Sequence, residues 1–551
     1  MTSLVDVTGG QIQGIPSPHD AAITLYLGVP YAAPPTESNR FKPPQPVIPW
    51  SGVRLCDHIG PVCPQMPPDP RYLNILDGFP QSEDCLYLNF FVPDGTREDK
   101  PWPVFMWIHG GAFREGGSAD PNFDGTGLAK KGVIVVVPTF RLGVFGFLAH
   151  PELSAESPSG TSGNMGIQDN LQALRWIQDN IAKFGGDPTR VTVGGQSAGS
   201  AKTQIILFSP LSKGLIHRAI IQSGARSPQE PATSNSAASY RLLRQAEEDG
   251  VDLFKELGIK DLAELRQYPD IRKLAQLSQR RDTRVWGPPP FFRSTLDGYV
   301  FPKTYSEVMA SGPPNDVPVI VGQNEDEGGT YNEPRFTIDD LRECIEGRFG
   351  PDAVYGKGSD DWVQRFWKTY PVADEEVGKG PLQCWNKSAR DNTRLNLSLW
   401  AQAYHRHTKS PVYGYYFTHH IPNWPGFVHD WDKPKVAGFT NSKGPLYGAY
   451  HSAEFAYTFN SLITNSVRPW AEEDRVLGEK ISTLWANFMK YGDPNGREGV
   501  EDRPEGVQQW PTLQERPDVL LQLGGDFSLV RVAEPPAITF WKEYISVQKA
   551  W

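Results

Sequence analysis

The stretch Arg190-Val191-Thr192-Val193-Gly194-Gly195-Gln196-Ser197-Ala198-Gly199-Ser200 decides the fold. Its first four residues predict a strand, and the residues from Ala198 to Leu207 are compatible with a helix. Between them stands the pattern Gly-x-Ser-x-Gly, which in this context forms a tight elbow with a strained serine at its tip. The two flanking glycines lack the Cβ atoms that would clash where strand and helix meet. The stretch therefore predicts that Ser197 is a nucleophile.

A second glycine-rich segment follows a buried strand upstream of the elbow. The segment Trp107-Ile108-His109-Gly110-Gly111-Ala112-Phe113 resembles the HGGG-type loop that supplies backbone N–H donors in lipases and esterases. Small residues are needed because such donors approach an oxyanion to about 2.7–3.1 Å. We expect the N–H groups of Gly111, Ala112 and Ala198 to form the oxyanion hole. His109 is expected to brace the loop rather than to act as a base.

In the first half of the chain, short apolar runs alternate with helical patterns, and further strand candidates follow. Between Asn164 and Phe184 the apolar residues recur every three or four positions, which predicts an amphipathic helix. Alternating strands and helices indicate an α/β fold, with a large, mostly parallel central sheet and helices on both faces. The strands are expected at Val104 to Ile108, Val133 to Val137, Arg190 to Val193, Arg218 to Gln222, Val317 to Val321, Val412 to Phe417 and Val519 to Leu523.

The chain shows no internal repeat and no linker. Residues 1–551 are therefore expected to form a single domain. Within it, residues 225–290 and 335–400 are more helical and more polar, and we expect them to form excursions over the carboxyl ends of the strands.

Composition excludes several classes of function. The chain has 54 basic and 64 acidic residues and a net charge of −10, so no positive field attracts nucleic acid. Charged residues make up 21%, as in an ordinary globular protein. The longest apolar runs have strand length, far short of the roughly 18 residues of a membrane helix. We expect no nucleic-acid partner and no transmembrane segment.

The N-terminus and the cysteines bear on the compartment. Residues 1–6 have neither the basic segment nor the apolar segment of a signal peptide, which favours a cytoplasmic location. The five cysteines are too few for a disulfide scaffold, and their spacings match no CxxC metal pair. Their odd number leaves at least one free thiol.

Further motifs along the chain point to one family. They are Arg40 to Pro44, Ser82 to Asn89, Arg141 to Phe147, Asn180 to Pro188, Asp326 to Gly328, Gly448 to His451 and Trp485 to Asn495. Together with the elbow and the glycine-rich loop, they resemble the type-B carboxylesterases, a branch of the α/β-hydrolases that includes cholinesterases and some fungal lipases. The resemblance runs nearly from end to end.

The resemblance implies a catalytic triad in the order serine, acid, histidine. Its members are Ser197, Glu327 and His451; among the eleven histidines, His451 alone stands in the family's Gly-Ala-x-His-x-x-Glu pattern. It implies a serine hydrolase that cleaves carboxylic esters through an acyl-enzyme intermediate, with a small-molecule ester as its partner. No metal and no cofactor are implied, and the oligomeric state stays open.

For several other charged residues and histidines we expect roles outside the catalytic triad. Glu325 and Asp326 are interpreted as solvated loop charges. Glu454 is either a brace for the site or a surface charge. By resemblance, Arg40 with Glu83 and Arg141 with Asp169 are expected to be buried ion pairs. Four histidines lack the further ligands that a zinc site needs and are interpreted as structural: His405, His407, His419 and His420.

The chain departs from the family at two places, and a third feature bears on the compartment. Gln196 stands before the nucleophile where many relatives carry Glu. Tyr72 to Leu76 has no Trp where cholinesterases bind choline, so a cationic choline ester is disfavoured. Cys63 and Cys85 match a pair that forms a disulfide in relatives, which would favour secretion, whereas the absent signal peptide favours reduced thiols.

Three alternatives to simple ester hydrolysis are left open. The same machinery can act on lactones, thioesters or amides, or transfer the acyl group to another acceptor. A lipase would need a lid, for which the loop of residues 64–84 is a weak candidate. The least favoured alternative is a non-catalytic binding module, because relatives that lost the nucleophile exist.

Overall fold

The computed structural model describes residues 4–67, 76–95, 100–236, 238–285, 287–331, 333, 335–354, 356–424, 448–497 and 502–551. Its strands are β1 Leu4–Val7, β2 Gly10–Gln13, β3 Ile15–Pro16, β4 Ile23–Pro30, β5 Val53–Leu55, β6 Tyr87–Pro93, β7 Trp102–Ile108, β8 Ile134–Pro138, β9 Gly186–Gln196, β10 Arg218–Gln222, β11 Arg241–Leu242, β12 Thr295–Leu296, β13 Val319–Asn324, β14 Val412–Phe417, β15 Val519–Leu523 and β16 Leu529–Arg531. Its α-helices are α1 Thr126–Lys130, α2 Gly143–Phe147, α3 Pro151–Glu156, α4 Met165–Asn180, α5 Ala198–Phe208, α6 Leu243–Leu257, α7 Leu262–Gln267, α8 Ile271–Leu277, α9 Tyr305–Ser311, α10 Ile338–Phe349, α11 Asp360–Thr369, α12 Gly380–His405, α13 Phe455–Phe459, α14 Glu472–Tyr491 and α15 Pro535–Ser546.

Over these residues one large sheet organises the molecule. It has eleven strands in the order β16-β15-β14-β13-β10-β9-β7-β8-β6-β4-β3. The central pairs from β15 to β8 run parallel, whereas the pairs at both edges are antiparallel. The expected α/β fold with a mostly parallel sheet is confirmed. The antiparallel strand pairs at the two edges are a further feature that the sequence did not predict.

Alternating side chains of the strands supply two cores, one on each face of the sheet. On β7, Val104 and Met106 join the core that α4, α5 and α12 cover. Phe105 and Trp107 point the other way, into the core beneath α13 and α14. A strand buried on both faces reads as a continuous apolar run, which is why the sequence identifies it.

The two predicted helical excursions are helical in the structure. Helices α6, α7 and α8 fall within residues 225–290, and α10, α11 and most of α12 fall within 335–400. The predicted helix between Asn164 and Phe184 is also present as α4, followed by one turn of 3₁₀ helix from Ile181 to Phe184.

Both expected ion pairs are present and buried. Arg141 donates from Nη2 to Asp169 Oδ1 at 2.6 Å, and the two side chains are 3% and 0% exposed. Arg40 donates from Nε to Glu83 Oε2 at 2.7 Å, with both side chains 9% exposed. Charged groups that are shielded from water in this way attract each other more strongly than the groups of an exposed ion pair do.

Cys63 and Cys85 are buried and carry free thiols. They are close enough to interact, since a hydrogen bond to Cys63, together with burial, raises the pKa of Cys85. Of the segment Tyr72 to Leu76, the residues up to 75 lie outside the described part of the chain. Among the described helices, none is both long and apolar enough to cross a membrane.

Candidate active site

The elbow places Ser197 between the end of β9 and the start of α5. Its backbone has φ 56° and ψ −122°, a conformation that non-glycine residues rarely adopt. A Cβ on Gly199 would lie 2.0 Å from the Ile108 carbonyl oxygen, and one on Gly195 would lie 2.6 Å from the Gly199 backbone. Both glycines are therefore required by close backbone approach, as predicted.

The glycine-rich loop after β7 lies beside this elbow. Gly111, Ala112 and Phe113 all have positive φ, at 90°, 52° and 63°. A Cβ on Gly111 would lie 1.9 Å from the Glu115 carbonyl oxygen, so only glycine fits there. No backbone or side-chain acceptor among the described residues binds the N–H groups of Gly111, Ala112 or Ala198. These three donors are free to bind a ligand oxygen.

His109 is packed into the same loop. It is 1% exposed, stacks on Phe140 at 4.3 Å between ring centroids, and contacts the Gly110 carbonyl oxygen through Nδ1 at 3.0 Å. Burial, and then the charge of Lys202, lower the pKa of His109 to about 3. Because the His109 ring is enclosed and resists protonation, we interpret it as a structural brace for the loop, as expected from the sequence.

Glu327 and His451 form a direct hydrogen bond between Oε2 and Nδ1. Glu327 lies just beyond β13 and its side chain is only 4% exposed. Its other oxygen, Oε1, accepts from Ser223 Oγ at 2.7 Å and from the Asn324 backbone N–H at 2.7 Å. The carboxylate is thus fixed from both sides, and it can hold the Nδ1–H tautomer of the imidazole.

Asp326 anchors the loop that carries His451. Its backbone N–H donates to the Ala449 carbonyl oxygen at 3.0 Å, and its carboxylate accepts from the Ala449 N–H at 2.9 Å. It also pairs with Arg390 at 2.7 Å and is 14% exposed. The expectation that Asp326 is a solvated loop charge is therefore wrong, because it joins the two loops of the site.

Glu325 is also ion-paired rather than free in solvent. One of its oxygens lies 3.7 Å from Arg390, and the side chain is 26% exposed. Glu325, Asp326 and His420 bring one ligand atom each within 4.8 Å of one another. Because both carboxylates already pair with Arg390, we interpret these residues as an ion-pair cluster rather than a metal centre.

Glu454 is buried behind Glu327 and His451, so the surface-charge interpretation is wrong. It is 0% exposed and accepts from Asn324 Nδ2 at 2.6 Å and from Gln222 Nε2 at 3.0 Å. Burial, and then the charge of Glu327, raise the pKa of Glu454 to about 7. The same Asn324 that donates to Glu327 therefore also binds Glu454, which makes Glu454 a brace for the site.

The charges around His451 raise its pKa above 6.5. Partial desolvation of the ring would lower that pKa, but the charge of Glu327 and its hydrogen bond outweigh desolvation. Glu454 contributes in the same direction, and Arg226 opposes it. The imidazolium is thus stabilised, as a general base needs when it takes up a proton.

His451 lies against Gln196, the neighbour of Ser197. Gln196 Nε2 is 3.1 Å from His451 Nε2 and 3.3 Å from His451 Nδ1. The Gln196 amide therefore lies against the imidazole, within hydrogen-bond distance of Nε2. In the described part of the chain the Ser197 hydroxyl makes no hydrogen bond, so it is not bonded to His451. Proton transfer from Ser197 Oγ to Nε2 requires the imidazole to exchange its contact with Gln196 for one with Ser197.

Sequence reasoning missed Lys202, one turn beyond the elbow. Its side chain is fully buried, and its Nζ has no hydrogen-bond partner among the described residues. It lies over the rings of Phe113 and Phe140, at 4.7 and 4.6 Å from their centroids. Burial lowers the pKa of Lys202 to about 7. The available signal was a single charged residue within an otherwise uncharged helix.

We expect Lys202→Met to stabilise the folded protein by about 3 kcal/mol at pH 7, since each pKa unit is worth about 1.4 kcal/mol and cation–π contact offsets part of the penalty. The pKa of Lys202 in the folded protein, about 7, lies below the ordinary lysine pKa of 10.5, so the unfolded chain binds more protons between these two pH values. Wild-type stability should therefore rise with pH across that window, and the advantage of the variant should shrink. Urea unfolding at pH 7 and 9 measures both.

The exposed Lys255, whose side chain is 71% exposed, provides the matched control. Lys255→Met should change the free energy of unfolding by less than about 0.5 kcal/mol at either pH. A Lys202→Met protein no more stable than wild type, or an advantage independent of pH, would contradict the buried-amine account.

A parallel-centred sheet with a serine elbow at the carboxyl end of a central strand defines the chain as an α/β-hydrolase. A model of the carboxylesterase family matches residues 1–541, and the chain belongs to that family. The predicted class, a carboxylic ester hydrolase of the serine type, is thereby confirmed.

Individual relatives agree with this assignment. The chain is 32% identical to the fumonisin B1 esterase of Sphingopyxis macrogoltabida, over 93% of this chain and 84% of that one. It is 31% identical to the para-nitrobenzyl esterase of Bacillus subtilis (strain 168), over 96% of both chains. A solved structure of a PNB esterase superposes with a TM-score of 0.72 at 28% identity, covering 98% of this chain and 100% of that one. These comparisons do not favour the lipase or the binding-module alternative.

Proposed function

We propose that Ser197 is the nucleophile, His451 the general base and Glu327 the residue that orients it, in the hydrolysis of small carboxylic esters. One observation carries the proposal: Glu327 holds His451 by Nδ1 beside the elbow, while Ser197 and three unpaired N–H groups meet at the same strand ends. Carboxyl ends of parallel strands are where α/β folds bind their ligands.

The proposed reaction has two acyl-transfer steps. His451 Nε2 accepts the Ser197 hydroxyl proton as Oγ attacks the ester carbonyl carbon, and the carbonyl oxygen becomes an oxyanion. The N–H groups of Gly111, Ala112 and Ala198 donate to that oxygen. His451 then gives its proton to the leaving alcohol. In the second step it takes a proton from water, whose oxygen attacks the acyl-enzyme, and it returns that proton to Ser197 Oγ as the acid leaves.

Two wider expectations belong with this proposal. The uninterrupted sheet from β3 to β16 supports a single domain over residues 1–551. The free thiols of Cys63 and Cys85 support a reducing, cytoplasmic environment.

A fluorophosphonate probe tests the proposed nucleophile. Such probes phosphonylate an activated serine, so we expect one equivalent on the peptide that contains Ser197 and a parallel loss of p-nitrophenyl acetate hydrolysis. Mass spectrometry of the digested protein locates the adduct. Labelling of a different residue, or full activity after stoichiometric labelling, would contradict the assignment.

A further inference from the structure

Gln196 contacts the base of the site from the position next to the nucleophile. It ends β9, its backbone pairs with Gln222 of β10, and it is only 1% exposed. Its amide nitrogen lies 3.1 Å from His451 Nε2. Among the described residues, the Gln196 side chain makes hydrogen-bond contacts to His451 alone. Gln196 is thus a buried amide whose hydrogen bonding is committed to the base.

The tautomer of His451 fixes the direction of this hydrogen bond. Nδ1 carries the proton, because it faces the Glu327 carboxylate, which is an acceptor. In the neutral imidazole Nε2 then has the free lone pair, and the Gln196 amide donates to it. The same lone pair must receive the Ser197 proton. The Gln196 amide and the Ser197 hydroxyl therefore compete for one acceptor.

The surroundings of His451 allow the ring to turn while its backbone stays in place. The Tyr450 carbonyl oxygen accepts from Asn324 Nδ2 at 2.7 Å, so the chain just before His451 is anchored. The His451 side chain itself is 46% exposed, so part of the ring borders solvent rather than packed protein. Rotation of the imidazole about its hydrogen bond to Glu327 can therefore exchange the amide for the hydroxyl without moving the loop.

We propose that Gln196 is a positioning residue that holds His451 in a resting orientation, from which the imidazole must turn to Ser197 before proton transfer. The proposal rests on the proposed role of His451 as the general base and adds a step that precedes catalysis. One neutral hydrogen bond changes an equilibrium by about three- to tenfold. Since a protein reacts in proportion to the share of its reactive form, the resting contact should slow the reaction of Ser197 by about that factor.

Two variants of Gln196 test the proposal. Gln196→Met removes the amide at similar volume, and Gln196→Asn keeps an amide that is one methylene too short to reach Nε2. We expect both variants to raise the second-order rate constant for phosphorylation of Ser197 by diisopropyl fluorophosphate about three- to tenfold at high pH. Gln178→Met, which removes an amide that donates to the Pro188 carbonyl oxygen at 2.8 Å, should react like wild type. Unchanged or slower phosphorylation in both Gln196 variants would overturn the proposal.

The pH dependence of this rate is a readout that a merely structural role would not move. The Gln196 amide can donate only to neutral His451, because a protonated Nε2 has no lone pair. The charged groups that act on His451 are Glu327, Glu454 and Arg226, and none of them changes in the variants. Loss of the amide should therefore move the midpoint of the pH profile up by about half to one pH unit, and the gain in rate should vanish below it. A gain of the same size at every pH would contradict the resting contact.

Modification of His451 itself decides the contact independently of ester hydrolysis. Diethyl pyrocarbonate acylates the free nitrogen of a neutral imidazole, and a Ser197→Ala background leaves Gln196 as the partner of Nε2 among the described residues. In that background we expect Gln196→Met to speed acylation of His451 about three- to tenfold by mass spectrometry, with His58, whose side chain is 83% exposed, as the unchanged internal control. Equal rates at His451 would overturn the proposal. A wild-type protein whose Ser197 does not react with diisopropyl fluorophosphate contradicts the proposed function instead, and the acylation rates then still decide the role of Gln196.

Discussion

Ser197→Ala is expected to lower kcat for ester hydrolysis by about 10⁴- to 10⁶-fold, because His451 then has no hydroxyl to activate. The remaining rate comes from the oxyanion donors and from binding alone. Since the Ser197 hydroxyl makes no hydrogen bond within the described residues, its removal should leave stability unchanged. Steady-state rates with p-nitrophenyl acetate and the thermal unfolding midpoint measure the two effects.

A buried serine far from the elbow serves as the control. Ser482 is 0% exposed and its hydroxyl donates to the Glu479 carbonyl oxygen at 3.2 Å. Ser482→Ala should retain full kcat and lose about 1 kcal/mol of stability. If Ser197→Ala kept more than about 1% of wild-type turnover, another residue would have to be the nucleophile.

The sequence predicts the centre of the sheet better than its edges. Arg218 to Gln222, Val412 to Phe417 and Val519 to Leu523 coincide with β10, β14 and β15, because each is a short, largely apolar segment. β13 starts two residues later than predicted, at Val319, because Pro318 has no N–H to offer a neighbouring strand. The antiparallel edge strands were not predicted. Their pairing depends on contacts between distant parts of the chain.

In the candidate site, too, some features can be predicted from the sequence and others cannot. The elbow and the glycine-rich loop follow from local requirements, since their glycines are forced by backbone contacts within a few residues or across one strand pair. The roles of Glu327 and His451 came from the family resemblance. Ser223 and Asn324 were not predicted to bind Glu327, and Arg226 carries no motif. Such contacts join side chains far apart in sequence, and only the folded chain brings them together.

Glu327→Gln should lower kcat by about 10⁴-fold through the tautomer of His451, and the structure indicates how. The Asn324 backbone N–H donates to Glu327 Oε1, so a glutamine there must place its amide oxygen toward Asn324. Its NH₂ group then faces His451 Nδ1 and donates to it. The imidazole must carry its proton on Nε2, where it can no longer accept the Ser197 proton.

The pH dependence of kcat/KM distinguishes the changed His451 tautomer in Glu327→Gln from simple misfolding. His451 must be neutral to act as a base, and Glu327 is the main group that raises its pKa. Wild-type kcat/KM should therefore fall as the pH drops through a value above 6.5, and in Glu327→Gln the residual activity should persist to lower pH. Glu325→Gln, on the same loop but paired with Arg390, should keep nearly wild-type kcat and an unshifted profile. If the two variants behaved alike, Glu327 would not be the residue that orients the base.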